Sequence, residues 1–500
     1  MSEPSRVMRC QDEGAESCPF GGHPTGRIGS RPVPWACVLA LLVMVAAPGA
    51  SLARGTRTKG ARAGVGMPAQ EASAADEHDA ATRIARRLGA AIAVSVAKVR
   101  ELPWRRPVDI GVHDPDSLRK VAVDEVERGT GLHGLRRLGR AWATLGLVPR
   151  DLGLDKAWLA LLQAQVAGFY LPGSGVMRVS RAVVPVGVQL PNPFAGLFGS
   201  SEDKLRFVIA HELVHALGDQ RWDFRRFARD RPGETDLEMA IAAVVEGDAT
   251  LAGLGWAMQD RGHTTPPEAL FVAGDSVAWL LGKAMSLARL GLLPDGGGLD
   301  RAPRALAERL VFPYVGGTTL VVAAGARVMG WGGVNALYAR PPLSTEQVLH
   351  PEKILDPKRL DPPIRLRWSV PVALRRSGAR LVASDVLGER LIAVILERTH
   401  SEEGAARAAR NWGGDRLELW CADARCTAIW ATVWDTQADA ARLARLLPTA
   451  VGRSAPSPWA WHQQGRWLVG VASDDPALGD GLAGWIVGHA RQTPLLRLPK

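Results

Sequence analysis

Five hundred residues with 47% apolar content are enough chain for two or three globular domains. The formal net charge is +10, yet arginines such as Arg83, Arg86, Arg225, Arg229, Arg301 and Arg442 are scattered among acids. No basic stripe interleaved with aromatics forms, which excludes nucleic acid as the expected partner and reads as a solvated basic surface.

The N-terminus reads as an address. Arg27 and Arg31 precede the apolar run "WACVLALLVMVAA" (Trp35 to Ala47), and Pro48 and Gly49 break it. "SLA" at Ser51 to Ala53 then offers the small residues a signal peptidase reads. The run is short for a permanent span. Residues 1–53 are therefore expected to be a cleaved signal, with an N-terminal membrane anchor as the alternative. No later stretch reads as a membrane helix, so the mature chain is expected without a span, in the periplasm or secreted. Cys10, Cys18 and Cys37 would leave with the signal; Cys421 and Cys426 remain. They flank a short turn between two alternating runs, and a disulfide closing that hairpin is the natural reading outside the cytosol.

Residues 54–75 are rich in Gly, Ala and Arg without periodicity and read as a flexible linker. Ile84, Leu88, Ala91, Ile92, Ser95 and Val99 then recur at helical spacing. "PVDIGVH" (Pro107 to His113) predicts a strand, with a helix from near Asp116. "AGFYLPGSGVMRVS" (Ala167 to Ser180) predicts a hairpin turning at Pro172 to Gly175. Ser200 and Asp203 suggest a capping box opening a helix that carries Leu205, Val208, Ile209, Leu213 and Leu217. A second helix covers Asp236 to Asp260, and more follows to about Ala339, interrupted at "FPYVGG" (Phe312 to Gly317). Pro357, Pro362 and Pro363 mark an expected boundary. The fold class expected is α+β: a mainly helical domain with a small N-terminal hairpin sheet over 76–356, then a smaller accessory α+β domain over 357–500. In the latter, "NWGGDR" (Asn411 to Arg416) reads as a glycine turn before a strand. "RLELWC" and "TAIWATVW" read as a sheet buried on one face, with Trp420, Trp430 and Trp434 for packing.

The chemistry lies in "FVIAHELVHALGDQRWDF" (Phe207 to Phe224). Residues four apart share a helix face, so His211 and His215 can reach one metal, with Glu212 beside it as a base toward water. A catalytic zinc of this kind needs a third ligand and an open position. "VVEGDAT" on the next helix offers Glu246 inside an apolar run, with Glu238 as competitor on the same helix. Asp219 and Asp248 could orient the liganding imidazoles, or be helix-end or surface acids.

"HELVHALGDQ" followed by "EGDA" resembles the gluzincin zinc metallopeptidases, the thermolysin-like HExxH…E class. The family's acid four residues after the glutamate ligand is here Thr250, and Asp248 is the nearest carboxylate. Over a longer span, "AGFYLP", "FPYVGG", "STEQVLHPEK" and "NWGGDR" together with the metal motifs resemble a group of exported bacterial HExxH proteins. The gluzincin resemblance implies one zinc per chain on His211, His215 and Glu246, a peptide or protein substrate, and Glu212 as general base. It also implies an edge strand to align the peptide, for which Val176 to Ser180 is the candidate, unless that strand is purely structural. For the oxyanion donor the candidates are Tyr314 and His350; packing and a turn are their alternative roles. A zinc amidase for cell-wall or other non-protein amides, or a non-catalytic zinc-containing binding protein, are the competing functions.

Overall fold

The structure is a computed structural model that describes residues 69–128, 131–165, 167–181, 201–227, 231, 233–263, 268–272, 282–283, 299–475 and 478–499. The expected signal, its three cysteines and Ser200 lie outside the described residues. The expected linker is corrected at its end, because helix α1 (Ala69–Arg100) already begins there.

After α1 come β1 (Asp109–His113), α2 (Pro115–Arg128), α3 (Gly131–Thr144), α4 (Leu154–Gln165), β2 (Gly168–Leu171) and β3 (Val176–Ser180). The three strands form one sheet in the order β1-β3-β2, with β1 parallel and β2 antiparallel to β3. Val176 to Ser180 is therefore the central strand, not an edge. The pairing that buries it comes from β1, sixty-odd positions upstream, and hairpin patterning cannot announce it.

The helical layer consists of α5 (Ser201–Trp222), α6 (Thr235–Asp260), α7 (Arg304–Ala326) and α8 (Trp331–Ala339), with the short α9 (Thr345–Leu349) and α10 (Glu352–Leu355) closing it. α6 is buried along nearly its whole length from Thr235 to Trp256, the expected state of a helix apolar all round. α7 runs straight through "FPYVGG" with Pro313 inside it, so the expected interruption is absent. Alone among the described helices, α7 is long and apolar enough to cross a bilayer, but it is mostly buried inside the protein.

The C-terminal part begins with β4 (Ile364–Arg367), α11 (Val372–Arg376), β5 (Arg380–Asp385), α12 (Gly388–Leu396) and α13 (Glu402–Ala409). It continues through β6 (Trp412–Ala422), β7 (Arg425–Trp434), α14 (Gln437–Gly452), β8 (Ala460–Gln464), β9 (Trp467–Ser473), α15 (Gly479–His489) and β10 (Arg491–Pro494). Five strands make an antiparallel sheet in the order β5-β6-β7-β9-β8, and β10 pairs with β4 apart from it. Cys421 and Cys426 are bonded directly across β6 and β7, as the hairpin reading expected. The sheet is buried on both faces, not one. Along β7, Ala428, Trp430 and Trp434 enter the main core, while Ile429, Ala431 and Val433 enter a smaller cluster with Leu366, Leu482 and Ile486. All of "NWGGDR" after Asn411 belongs to β6 itself: Gly414 gives room for the Ile364 carbonyl, which an added Cβ would meet at 2.1 Å.

The apolar core does not stop at Pro357 to Pro363. One contiguous cluster holds Trp142, Val244 and Phe312 together with Leu391, Trp412, Trp430 and Leu468. Buried polar links cross as well. Asp385 accepts from Trp142 Nε1 at 2.8 Å and from the Thr235 N–H at 3.0 Å, and Asp236 N donates to the Val386 carbonyl. The start of α6 is thus held by the C-terminal part.

Candidate metal centre

On α5, Leu205, Val208, Ile209, Leu213 and Leu217 are buried, which fixes the helix against the core. His211 and His215, one turn apart, are turned by that packing toward α6. α6 approaches α7 with almost nothing between them. A Cβ on Gly247 would lie 2.2 Å from the Gly317 carbonyl carbon, and one on Gly317 would lie 2.0 Å from the Ala243 oxygen. That contact seats the residue before Gly247, which is Glu246.

Glu246 Oε2 lies 3.3 Å from His211 Nε2 and 3.5 Å from His215 Nε2, and one ligand atom from each of the three falls within 4.8 Å of the others. For bonds of about 2.0–2.1 Å, a tetrahedral set of N and O donors stands roughly 3.3–3.4 Å apart. The two separations lie close to that edge, and the three residues form a group able to hold a metal ion. All three are buried, and Glu212 between the histidines is 1% exposed. Burial brings His211 down to about 4, keeping its imidazole neutral and able to ligate. Burial alone would raise Glu246, but the charge of His215 and the hydrogen bonds of both imidazoles bring it down to about 2. Burial alone would lower His215, but the charge and hydrogen bond of Glu246 raise it to about 9. The carboxylate is thus ready for a cation, while His215 must give up a proton to ligate it.

Glu212 is held from the sheet side. The backbone N–H of Tyr170, on edge strand β2, donates to its Oε2 at 2.7 Å. Its Oε1 is buried with no hydrogen-bond partner among the described residues. Burial pushes the Glu212 carboxyl up to about 7, the range in which a carboxylate can both take and return a proton near neutrality.

The two candidate orienting acids have other partners. Asp219 accepts from the Tyr170 hydroxyl at 2.8 Å, the Gly173 N–H at 2.7 Å and the Phe224 N–H at 2.8 Å. It ties the β2–β3 turn to α5, and so holds the strand whose N–H meets Glu212. Asp248 is taken by Arg100 Nε at 2.6 Å and the Tyr338 hydroxyl at 2.8 Å. Arg100 is wholly buried, and its guanidinium also stacks over Trp331, with 4.5 Å from Cζ to the ring centroid. Among the described residues neither acid hydrogen-bonds an imidazole, and His211 Nδ1, which is buried, has no partner. The imidazoles are oriented by helix packing and by Glu246.

Tyr314 is brought to the site: it is buried, with its ring stacked at 6.3 Å from that of His211. His350 instead meets Glu389 on α12 at 2.9 Å. Glu238, the competing ligand, receives Arg309 Nη2 at 2.6 Å, outside the metal group. Three contributors escaped the motif reading: Tyr170, Gly317 and Arg100. The first two stood in "AGFYLP" and "FPYVGG"; Arg100 carried no signal beyond ending a helix.

The class these features define is an α+β chain with a buried His₂Glu group on two packed helices. A family described as a domain of unknown function (DUF8575) matches residues 376–473, which carry β5 to β9 and none of the metal-group residues. No curated protein and no solved structure matches the chain.

Proposed function

We propose that the chain is an exported zinc metallopeptidase with Glu212 as its general base. One observation carries the reading: two imidazoles and a carboxylate converge on one point, beside a fourth group with one oxygen held and the other unpartnered. Two nitrogens and one oxygen at four-coordinate spacing are the donor set of catalytic zinc. Bound there, zinc would supply Lewis-acid polarisation of water and of a substrate carbonyl.

The protein's own groups do the rest. His211, His215 and Glu246 hold the cation. Glu212 Oε1 takes a proton from water and later returns it to the leaving amine nitrogen, while the Tyr170 N–H keeps Oε2 in place. β2, not Val176 to Ser180, is the edge of this sheet beside α5, but its outward Tyr170 N–H is committed to Glu212 and the strand is buried, so it positions the base and does not pair with the peptide. The burial of all three ligands favours a second reading, a metal that only braces α5 to α6. That reading leaves the unpartnered oxygen of Glu212 without a role.

The test is zinc content and hydrolysis by the purified chain, on a broad peptide mixture set against cell-wall muropeptides. One zinc per chain is expected, with cleavage of peptides. His215→Ala should remove both, and full zinc in that variant would sink the ligand assignment.

A further inference from the structure

Away from the metal group, a cavity of about 570 Å³ lies between the end of α3 and strands β6, β7 and β9. Its floor is apolar and buried, formed by Ala143, Leu419 and Ala428. Its lining also includes three exposed arginines from three different segments: Arg140 on α3, Arg150 beyond it, and Arg425 at the start of β7. Arg140 Nη2 rests 3.3 Å and 3.5 Å from the two sulfurs of the Cys421–Cys426 bridge, and Arg150 Nη2 donates to Ser457 Oγ at 3.1 Å. Among the described residues none of the three guanidinium groups meets a carboxylate. Asp474, the single acid of the lining, is engaged through Oδ2 by the Cys426 N–H.

Three guanidinium groups around one cavity repel one another, and one carboxylate does not balance them. A guanidinium presents a rigid fork of donors that fits carboxylate and phosphate oxygens. The volume falls within the roughly 300–1,000 Å³ usual for small-molecule sites. An apolar floor under such a rim rewards a ligand that carries hydrocarbon as well as charge.

We propose that this cavity binds a small amphipathic anion, a carboxylate or phosphate monoester bearing a short apolar group. The site spans the match to the family of unknown function and helix α3 outside it, so it is complete only in the full chain. It does not depend on the metal.

The experiment is calorimetric titration of the full chain with hexyl phosphate, hexanoate, inorganic phosphate and hexanol. Saturable binding is expected for hexyl phosphate or hexanoate, and whichever binds more tightly identifies the anion. Phosphate should bind more weakly and hexanol not at all. Raising salt from about 0.05 to about 0.5 M should weaken binding, because the charges are near the surface. The double variant Arg140→Ala, Arg425→Ala should weaken it by at least about tenfold, the loss expected for charge-assisted hydrogen bonds. Both side chains are exposed, and an unchanged melting temperature would confirm the fold; should the variant not fold, the salt series and the hexanol comparison on the native chain decide. No saturable binding by either amphipathic anion, equal binding of hexanol, salt-independent binding, or undiminished binding by a folded double variant would overturn the proposal.

Discussion

The Tyr170 N–H donates to Glu212 Oε2 at 2.7 Å, while Oε1 of the same carboxylate is buried without a partner among the described residues. One oxygen is a handle and the other is available. Glu212→Gln preserves the shape and the handle but removes the proton acceptor. It should keep stoichiometric zinc and lose about 10²–10⁴-fold in turnover, the usual size of a general-base contribution. Metal analysis and initial rates on the best peptide substrate check this; unchanged turnover would exclude Glu212 from the chemistry.

The close approach of α6 and α7 leads to a second expectation. A Cβ on Gly317 would lie 2.0 Å from the Ala243 oxygen, a backbone atom that cannot rotate away. Gly317→Ala must therefore push the helices apart. Overpacking of this kind typically costs about 1–3 kcal/mol, and Glu246 sits beside the contact, so zinc affinity should fall too. Gly332→Ala is the control, since its added Cβ comes no nearer than 3.8 Å to Val328. Thermal melting and a zinc competition assay would check both. Equal behaviour of the two variants would remove the helix contact from the account of the site.

How much of this could be read in the sequence depends on the distance over which each feature is determined. His211 and His215 were legible because a helix turn places them together. Glu246 was legible because an acid inside "AIAAVVEGDATLAG" needs a partner. The distant partners of Asp219 and Asp248 were not, because they come from β2 and the turn after it for Asp219, and from helices ninety positions away (Tyr338) or more (Arg100) for Asp248. "FPYVGG" misled for a local reason. Proline and paired glycines signal a break, but here the glycines serve close helix packing and the proline is accommodated within α7. The central position of β3 depended on a parallel partner that no hairpin pattern encodes. The disulfide was legible because its loop is short.

The prolines at 357 to 363 suggest a place to divide the chain, but the packing argues against doing so. A chain ending after Leu360 would lose the Asp385 and Val386 groups that hold Thr235 and Asp236 at the start of α6. It would also expose the part of the main core shared with Leu391, Trp412 and Trp430. The expected outcome is an aggregating or unfolded fragment without stoichiometric zinc. A soluble fragment that melts cooperatively and binds zinc would show that 357–500 is dispensable for the fold; sedimentation, calorimetry and metal analysis together decide.

Asp236 gives a pH dependence whose sign can be worked out. It is 1% exposed at the start of α6, and its Oδ1 accepts from both the N–H and the hydroxyl of Thr345. Burial, opposed by those hydrogen bonds and aided by the nearby charges of Asp415 and Glu234, pushes its carboxyl up to about 8. In the unfolded chain an aspartate titrates near about 3.9. Its folded pKa is thus raised, so folding takes up a proton. The associated stability is fully present below about pH 4, declines as pH rises through the window, and is lost above the folded value of about 8. Within the window the slope approaches about 1.4 kcal/mol per pH unit for this one proton. Asn resembles the protonated acid, with an oxygen to accept from Thr345 and no charge to bury. Asp236→Asn should therefore match the native chain at about pH 4 and below within the cost of the added amide donors, and should lose less stability than the native chain between about pH 4 and 8. Other buried acids, such as Glu346 raised to about 9, will slope both curves, so the difference between the two proteins is the quantity to read. Urea midpoints of both proteins across that range supply it, and parallel curves would mean that Asp236 is ionised in the folded protein at neutral pH.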